Sequence, residues 1–123
     1  MKKLLVCFLL CISSASVMAA NWIPSKYPYL YIGKVTNQGI WIKYVYLQPI
    51  YIQDGIGQIS QFIAKVKTDC KNDLLNVVQN TYYRKDGSIA QSQNYPTGFF
   101  EPTPDSVGEE MLKAVCSYKS SKK

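Results

Sequence analysis

Ile59-Ser60-Gln61-Phe62-Ile63-Ala64-Lys65-Val66-Lys67-Thr68-Asp69-Cys70 alternates in polarity along most of its length. Phe62, Ala64, Val66 and Cys70 fall on one side of a period of two. Gln61, Lys65, Lys67 and Asp69 fall on the other, with Ile63 as the exception. A period of two is the mark of a strand with one buried face. It puts Cys70 on the apolar side.

The neighbouring stretches read the same way. Upstream, Ile40-Trp41-Ile42-Lys43-Tyr44-Val45-Tyr46-Leu47 is dense in β-branched and aromatic residues, as strands are. Pro49 has no amide to donate to a ladder, so Ile50-Tyr51-Ile52 is expected as a separate short strand or edge piece. Asp54-Gly55-Ile56-Gly57 reads as a turn. Further back, Tyr27 to Ile32 is strand-like, Gly33 to Gly39 turn-like, and residues 21–26 an irregular lead-in. Downstream, Lys71-Asn72-Asp73 is a turn and Leu74 to Arg84 a strand. Lys85-Asp86-Gly87-Ser88 then makes a hairpin connection to Ile89–Tyr95, since Asp-Gly between two strand-like runs is a strong hairpin signal. Pro96-Thr97-Gly98 ends that strand.

The last segment changes period. Ser106 and Glu109 have the S-x-x-E spacing of a capping box, in which each side chain satisfies a free amide at a helix start. Glu109 and Glu110 suit the positive end of the helix dipole. Met111, Leu112, Val115 and Cys116 recur at helical spacing and form an apolar stripe. A short helix of this kind is stable when docked on a sheet. The pattern therefore predicts an α+β fold: an antiparallel β-sheet of roughly five or six strands with one C-terminal helix packed on a face.

The chain opens with Met1-Lys2-Lys3, continues with the apolar run Leu4–Ile12, and reaches the small residues Ser13–Ala20. These are the three parts of a secretory signal peptide, with cleavage after Ala19 or Ala20. The apolar run is well short of the ~20 residues that span a bilayer. Bulky Val6 and Leu10 precede Cys7 and Cys11, so no lipid anchor is expected. The expected organisation is a signal peptide over 1–20, a single domain over 21–118, and a flexible basic tail over 119–123. Export leaves Cys70 and Cys116 as one even pair, the usual setting for a structural disulfide. Both stand on inward-facing positions of elements that must pack together, and the bridge closes a loop worth about 4 kcal/mol in the chain-entropy account.

Composition removes several classes of function. Of 123 residues none is histidine. The commonest general base and metal ligand is therefore missing, and no Ser-His or Cys-His nucleophile pair can be built. No zinc spacing, phosphate loop or dinucleotide fingerprint is present, so neither catalysis nor a cofactor is expected. Losing Lys2 and Lys3 with the leader lowers the net charge from +6 to +4. That excess is spread along the chain and forms no dense basic stripe, which argues against nucleic acid.

The block from Asp69-Cys70 through Tyr82-Tyr83, Asp86-Gly87-Ser88-Ile89-Ala90-Gln91-Ser92 and Pro104-Asp105-Ser106-Val107-Gly108-Glu109 to Val115-Cys116 resembles the surface-adhesin protein E family of Gram-negative bacteria. In that family a first cysteine follows a strand, a Tyr-x-x-x-Gly hairpin comes next, and a Pro-x-Ser segment opens a helix carrying the second cysteine. Tyr31-Ile32-Gly33 and Ile40-Trp41 match its N-terminal strands more loosely. The resemblance covers most of residues 27–118. It implies a sheet-plus-helix fold, an intramolecular disulfide and placement at the cell surface or in the periplasm. It also implies adhesin-like binding of host extracellular-matrix or serum proteins. Two departures from the adhesin pattern are the missing lipid anchor and the absence of a basic cluster in Tyr51–Gly57.

Candidate contact residues follow from the strand parity. Tyr27, Tyr29 and Tyr31 alternate, as do Ile42, Tyr44 and Tyr46, so each set is expected on one face. Tyrosine rows serve either as binding strips, offering large contact area at low entropy cost, or as cross-strand packing. Lys65 and Lys67 lie on the polar side of their strand, where they meet solvent or an acidic partner. Two functional readings follow. One is an exported, adhesin-like binding protein acting by protein–protein contact. The other is a periplasmic inhibitor or immunity-type protein that blocks one enzyme or toxin.

Overall fold

The computed structural model describes residues 21–51 and 58–122, with only the backbone of Tyr51. The expected signal peptide and the expected turn over Asp54–Gly57 lie outside the described residues. Six strands form one sheet: β1 (Ile23–Pro24), β2 (Leu30–Thr36), β3 (Gly39–Tyr51), β4 (Gln58–Asp69), β5 (Leu74–Arg84) and β6 (Ile89–Gln93). Every neighbouring pair is antiparallel and the spatial order follows the chain order, β1 to β6. Antiparallel neighbours can be joined by short hairpins, so this meander needs no crossover. Among the described residues a single helix, α1 (Val107–Ser121), packs on one face. The fold is α+β, as the polarity pattern predicts.

The parity of β4 holds from Gln61 to Lys67, whereas Ile59, out of phase with it, is also fully buried, beyond a shift in the pairing with β5. Phe62, Ala64 and Val66 are buried under α1, with Leu30 and Ile32 of β2, Ile40 and Ile42 of β3, and Leu75 and Val77 of β5. The helix contributes Met111, Ala114 and Val115 to the same core. Each fully buried Ile or Leu removes enough apolar surface from water to stabilise the fold by about 2 kcal/mol. The capping geometry at Ser106 starts the helix: its Oγ accepts from the amide of Glu109 at 3.2 Å. The return bond of the expected box is displaced by one residue. The Ser106 amide donates to the Thr103 carbonyl, so the Glu109 carboxylate accepts from Asp105 instead, at 3.1 Å. That backbone bond holds the Glu109 carboxyl below its ordinary pKa.

Four local expectations are corrected. β2 runs through Gly33 to Thr36, and the turn is confined to Asn37-Gln38, closed by Thr36 pairing with Gly39. Gly39 sits at φ +144, where an added Cβ would fall 2.6 Å from the Val66 carbonyl oxygen, so the hairpin needs glycine there. Pro49 does not split off a strand. β3 continues to Tyr51, and Pro49 falls in the irregularity between Val45 and Ile50, where pairing with β4 shifts register. Lys119 and Ser120, expected in a flexible tail, lie in the last turn of α1, and Lys119 Nζ donates to Thr68 Oγ1 at 2.7 Å. Finally, Ile23–Pro24 within the irregular lead-in pairs with Ile32 and Tyr31 as a two-residue edge strand.

Cys70 and Cys116 form a disulfide with a Cα–Cα distance of 5.8 Å. Cys70 is on the helix side, as the parity of β4 requires, but it stands one residue past the strand and is exposed. The bridge therefore ties the rim of the sheet to the middle of the helix rather than filling the core.

Candidate protein-binding face

Antiparallel pairing relates the residues of neighbouring strands, so the two faces can be followed from pair to pair on either side of the register shifts. The helix side holds an aromatic chain. Tyr27, Tyr29, Tyr44 and Phe62 touch in sequence, and Phe62 touches both Tyr46 and Tyr82, with Tyr44 stacked on Phe62 at 5.4 Å and Tyr29 edge-on to Tyr44 at 5.1 Å. All five tyrosines pack against the core. The Tyr29 hydroxyl donates to the Glu110 carboxylate of α1. That hydrogen bond, with burial and the nearby negative charge, pushes the Tyr29 phenol up to about 12. Burial does the same at Tyr46, and raises Tyr44 and Tyr82 as well. These rings give up their protons reluctantly because a phenolate would be poorly solvated there.

The opposite face is lined differently. Tyr31 pairs with Lys43, Lys43 with Ile63, and Trp41 with Lys65. Lys43 Nζ lies 5.1 Å from the Trp22 ring and 5.0 Å from the Tyr31 ring, and Lys65 Nζ lies 5.1 Å from the Trp41 ring. Each contact lies within cation–π range, worth about 0.5–1 kcal/mol where solvent reaches it. Lys65 also donates to Gln38 at 3.2 Å. Tyr31, Trp22, Trp41, Lys43 and Lys65 are all half-buried, Lys67 is exposed, and among the described residues no helix covers this face.

A β-bulge shapes the rim of the strip. Between the pairs Ile32–Ile42 and Val35–Ile40, β2 has two residues, Gly33 and Lys34, where β3 has only Trp41. Such an insertion re-aims side chains at a sheet edge. Trp22 lies flat on Gly33, where an added Cβ would come within 2.6 Å of the indole. The result is a groove of about 510 Å³ lined by Asn21, Trp22, Gly33, Lys34 and Trp41.

The seven candidate contact residues thus divide between the two faces. Tyr31, Lys65 and Lys67 share the helix-free face, whereas Tyr27, Tyr29, Tyr44 and Tyr46 lie on the helix side. The expectation that Tyr27 and Tyr29 share a face with Tyr31 does not hold, because β2 begins at Leu30 and the two earlier rings belong to the turn that precedes it. Trp41 and Lys43 were legible, being out of phase with Ile42 and Tyr44. Trp22 carried no signal, because nothing in the lead-in announces that it folds over Gly33.

A family model described as surface-adhesin protein E matches residues 32–117. The chain belongs to the surface-adhesin protein E family. The match runs from β2 to within a few residues of the end of α1, and so includes both bridged cysteines and most of the helix-free strip. Trp22 precedes it. No curated protein and no solved structure matches the chain. Membership supports an adhesin-like, protein-binding role and an exported or surface placement. Among the described residues no helix is long and apolar enough to cross a membrane.

Proposed function

We propose that this member of the adhesin E family is an exported binding protein that works by protein–protein contact and performs no catalysis. The contact is made through the helix-free face of the sheet. The observation that carries this reading is the strip of Trp22, Tyr31 and Trp41 interleaved with Lys43 and Lys65. Large rings that are half-open to solvent are the side chains that dominate protein interfaces. On the helix side the comparable rings are already engaged with one another and with the core. The reading includes cleavage of the leader after Ala19 or Ala20, release without a lipid anchor, and a partner among host matrix or serum proteins.

Solid-phase binding of the purified mature protein to a panel of matrix and serum proteins tests it. Saturable binding to at least one of them, weakened by Trp41→Ala, is the expected result. Absence of saturable binding to every member of the panel would sink the adhesin role while leaving the fold untouched. Protease accessibility on intact cells separates surface from periplasm. A protected protein that instead captures one periplasmic enzyme or toxin would replace the adhesin reading with an inhibitor or immunity role.

A further inference from the structure

The helix-free strip has a charge pattern as well as an aromatic one. Lys43 and Lys65 have no carboxylate partner among the described residues, and the ion pair Lys113–Glu109 belongs to α1. Their ammonium groups rest on ring faces. A ring quadrupole orients a cation without neutralising it, so both charges stay available to an incoming anion. Lys34, placed at the groove by the bulge, adds a third. Strand parity puts Asp69 of β4 on this face too. It stands four residues beyond Lys65, about 13 Å along the strand, and its carboxylate is already engaged by Asn72. Glu109 and Glu110 are on the helix at the other face.

We propose that the groove between Trp22 and Trp41 takes an acidic polypeptide segment, with one apolar side chain seated on Trp22, Gly33 and Trp41 and flanking carboxylates on Lys34, Lys43 and Lys65. This rests on the protein-binding reading above and names the chemistry of the partner. Two features set the choice of occupant. The groove is lined by two indoles, a glycine, one lysine stem and Asn21, so between the indoles it favours an apolar group. Its flank carries cations of one sign within the reach of neighbouring residues of the same segment, which is the complementarity that steers encounter and fixes register. A polyanion without apolar groups would satisfy the lysines and leave the indoles wet.

The test uses the purified mature protein and a Gly/Ser peptide carrying a central Leu flanked by glutamates. Its controls are the same peptide with glutamines for glutamates, the same with Ala for Leu, and heparin. The acidic Leu peptide is expected to bind saturably and to weaken as salt is raised. Trp41→Ala is expected to weaken it about thirtyfold, as loss of a buried aromatic anchor does. Lys43→Glu is expected to weaken it at least about tenfold, and Lys43→Arg to restore it. Lys113→Ala, on the other face, leaves it unchanged. Equal binding of the glutamine peptide, or heparin binding in preference to every peptide, overturns the proposal, as does an unchanged affinity in both Trp41→Ala and Lys43→Glu. A positive protein panel with a negative peptide leaves the adhesin role standing and removes this inference. A positive peptide with a negative panel does the reverse. Circular dichroism of each variant confirms the fold, and the conservative Lys43→Arg protein keeps the charge test valid should Trp41→Ala be unstable.

Discussion

The two faces of the sheet are both rich in aromatic rings and use most of them differently. On the helix side the rings meet other rings at 5.1–6.1 Å and border a core rich in Ile, Leu and Val, and Tyr27, at the end of the row, also has Lys26 over its ring at 5.5 Å. On the other side the rings meet ammonium groups at 5.0–5.1 Å. A ring against a ring excludes water and is finished with its surroundings. A ring under a solvated lysine keeps an open edge and a nearby charge, and can still be completed by something else. Aromatic content alone therefore says little about binding, and the neighbours of each ring say much more.

The strongest way to break this comparison is to detach the helix that creates it. Replacing Cys70 and Cys116 together by serine is expected to cost about 4 kcal/mol, measured as the shift in urea unfolding. A loss near zero would mean that packing alone holds α1 in place. Next comes a contrast between adjacent residues of β3. Ile42 is fully buried, so Ile42→Ala is expected to cost about 3 kcal/mol. Lys43 points the other way, so Lys43→Ala is expected to cost less than about 1 kcal/mol. Equal losses at the two positions would contradict the assignment of faces. Gly39→Ala forces a side chain into a positive φ and against the Val66 carbonyl, and is expected to lower stability by about 2 kcal/mol in the same assay.

The smallest effect is in alkali. The folded state holds the Tyr29 proton up to about 12, above the ordinary 10.0. Stability from this group is therefore complete below pH 10 and declines as pH rises from 10 to about 12. Tyr46 adds to the decline in the same window. Tyr29→Phe has no proton to lose there, so its alkaline decline is expected to be shallower, as read by unfolding midpoints across that range. An unchanged profile would mean that the bond to Glu110 adds nothing.

Much of the architecture was legible from polarity alone. The alternation of Phe62, Ala64 and Val66 names the core side of β4, and antiparallel pairing passes that parity to β3 and β5. The Asp86-Gly87 hairpin and the Ser106 cap were equally plain, because both depend on neighbours a few residues away. Legibility failed where register broke. Gly33 reads as turn in isolation, yet it is strand because β2 absorbs an extra residue opposite Trp41. Pro49 reads as a terminator, yet β3 passes through it at an irregularity that needs no amide. Cys70 has the right parity but lies beyond the last ladder pair, so it is exposed.

The binding face divides along the same line. Period-two alternation is local, and it suffices to put Trp41, Lys43 and Lys65 on one side of their strands. Which of the two sides the helix covers is set by the apolar stripe of α1 meeting the apolar side of the sheet. Residue order alone therefore carried the strands, the cap, the cysteine pair and the exposed side. The Trp22–Gly33 contact and the bulge that brings Lys34 beside Trp41 came from folding itself. They join the lead-in, β2 and β3 through backbone register, and no pattern within any one of those segments encodes a distance to another.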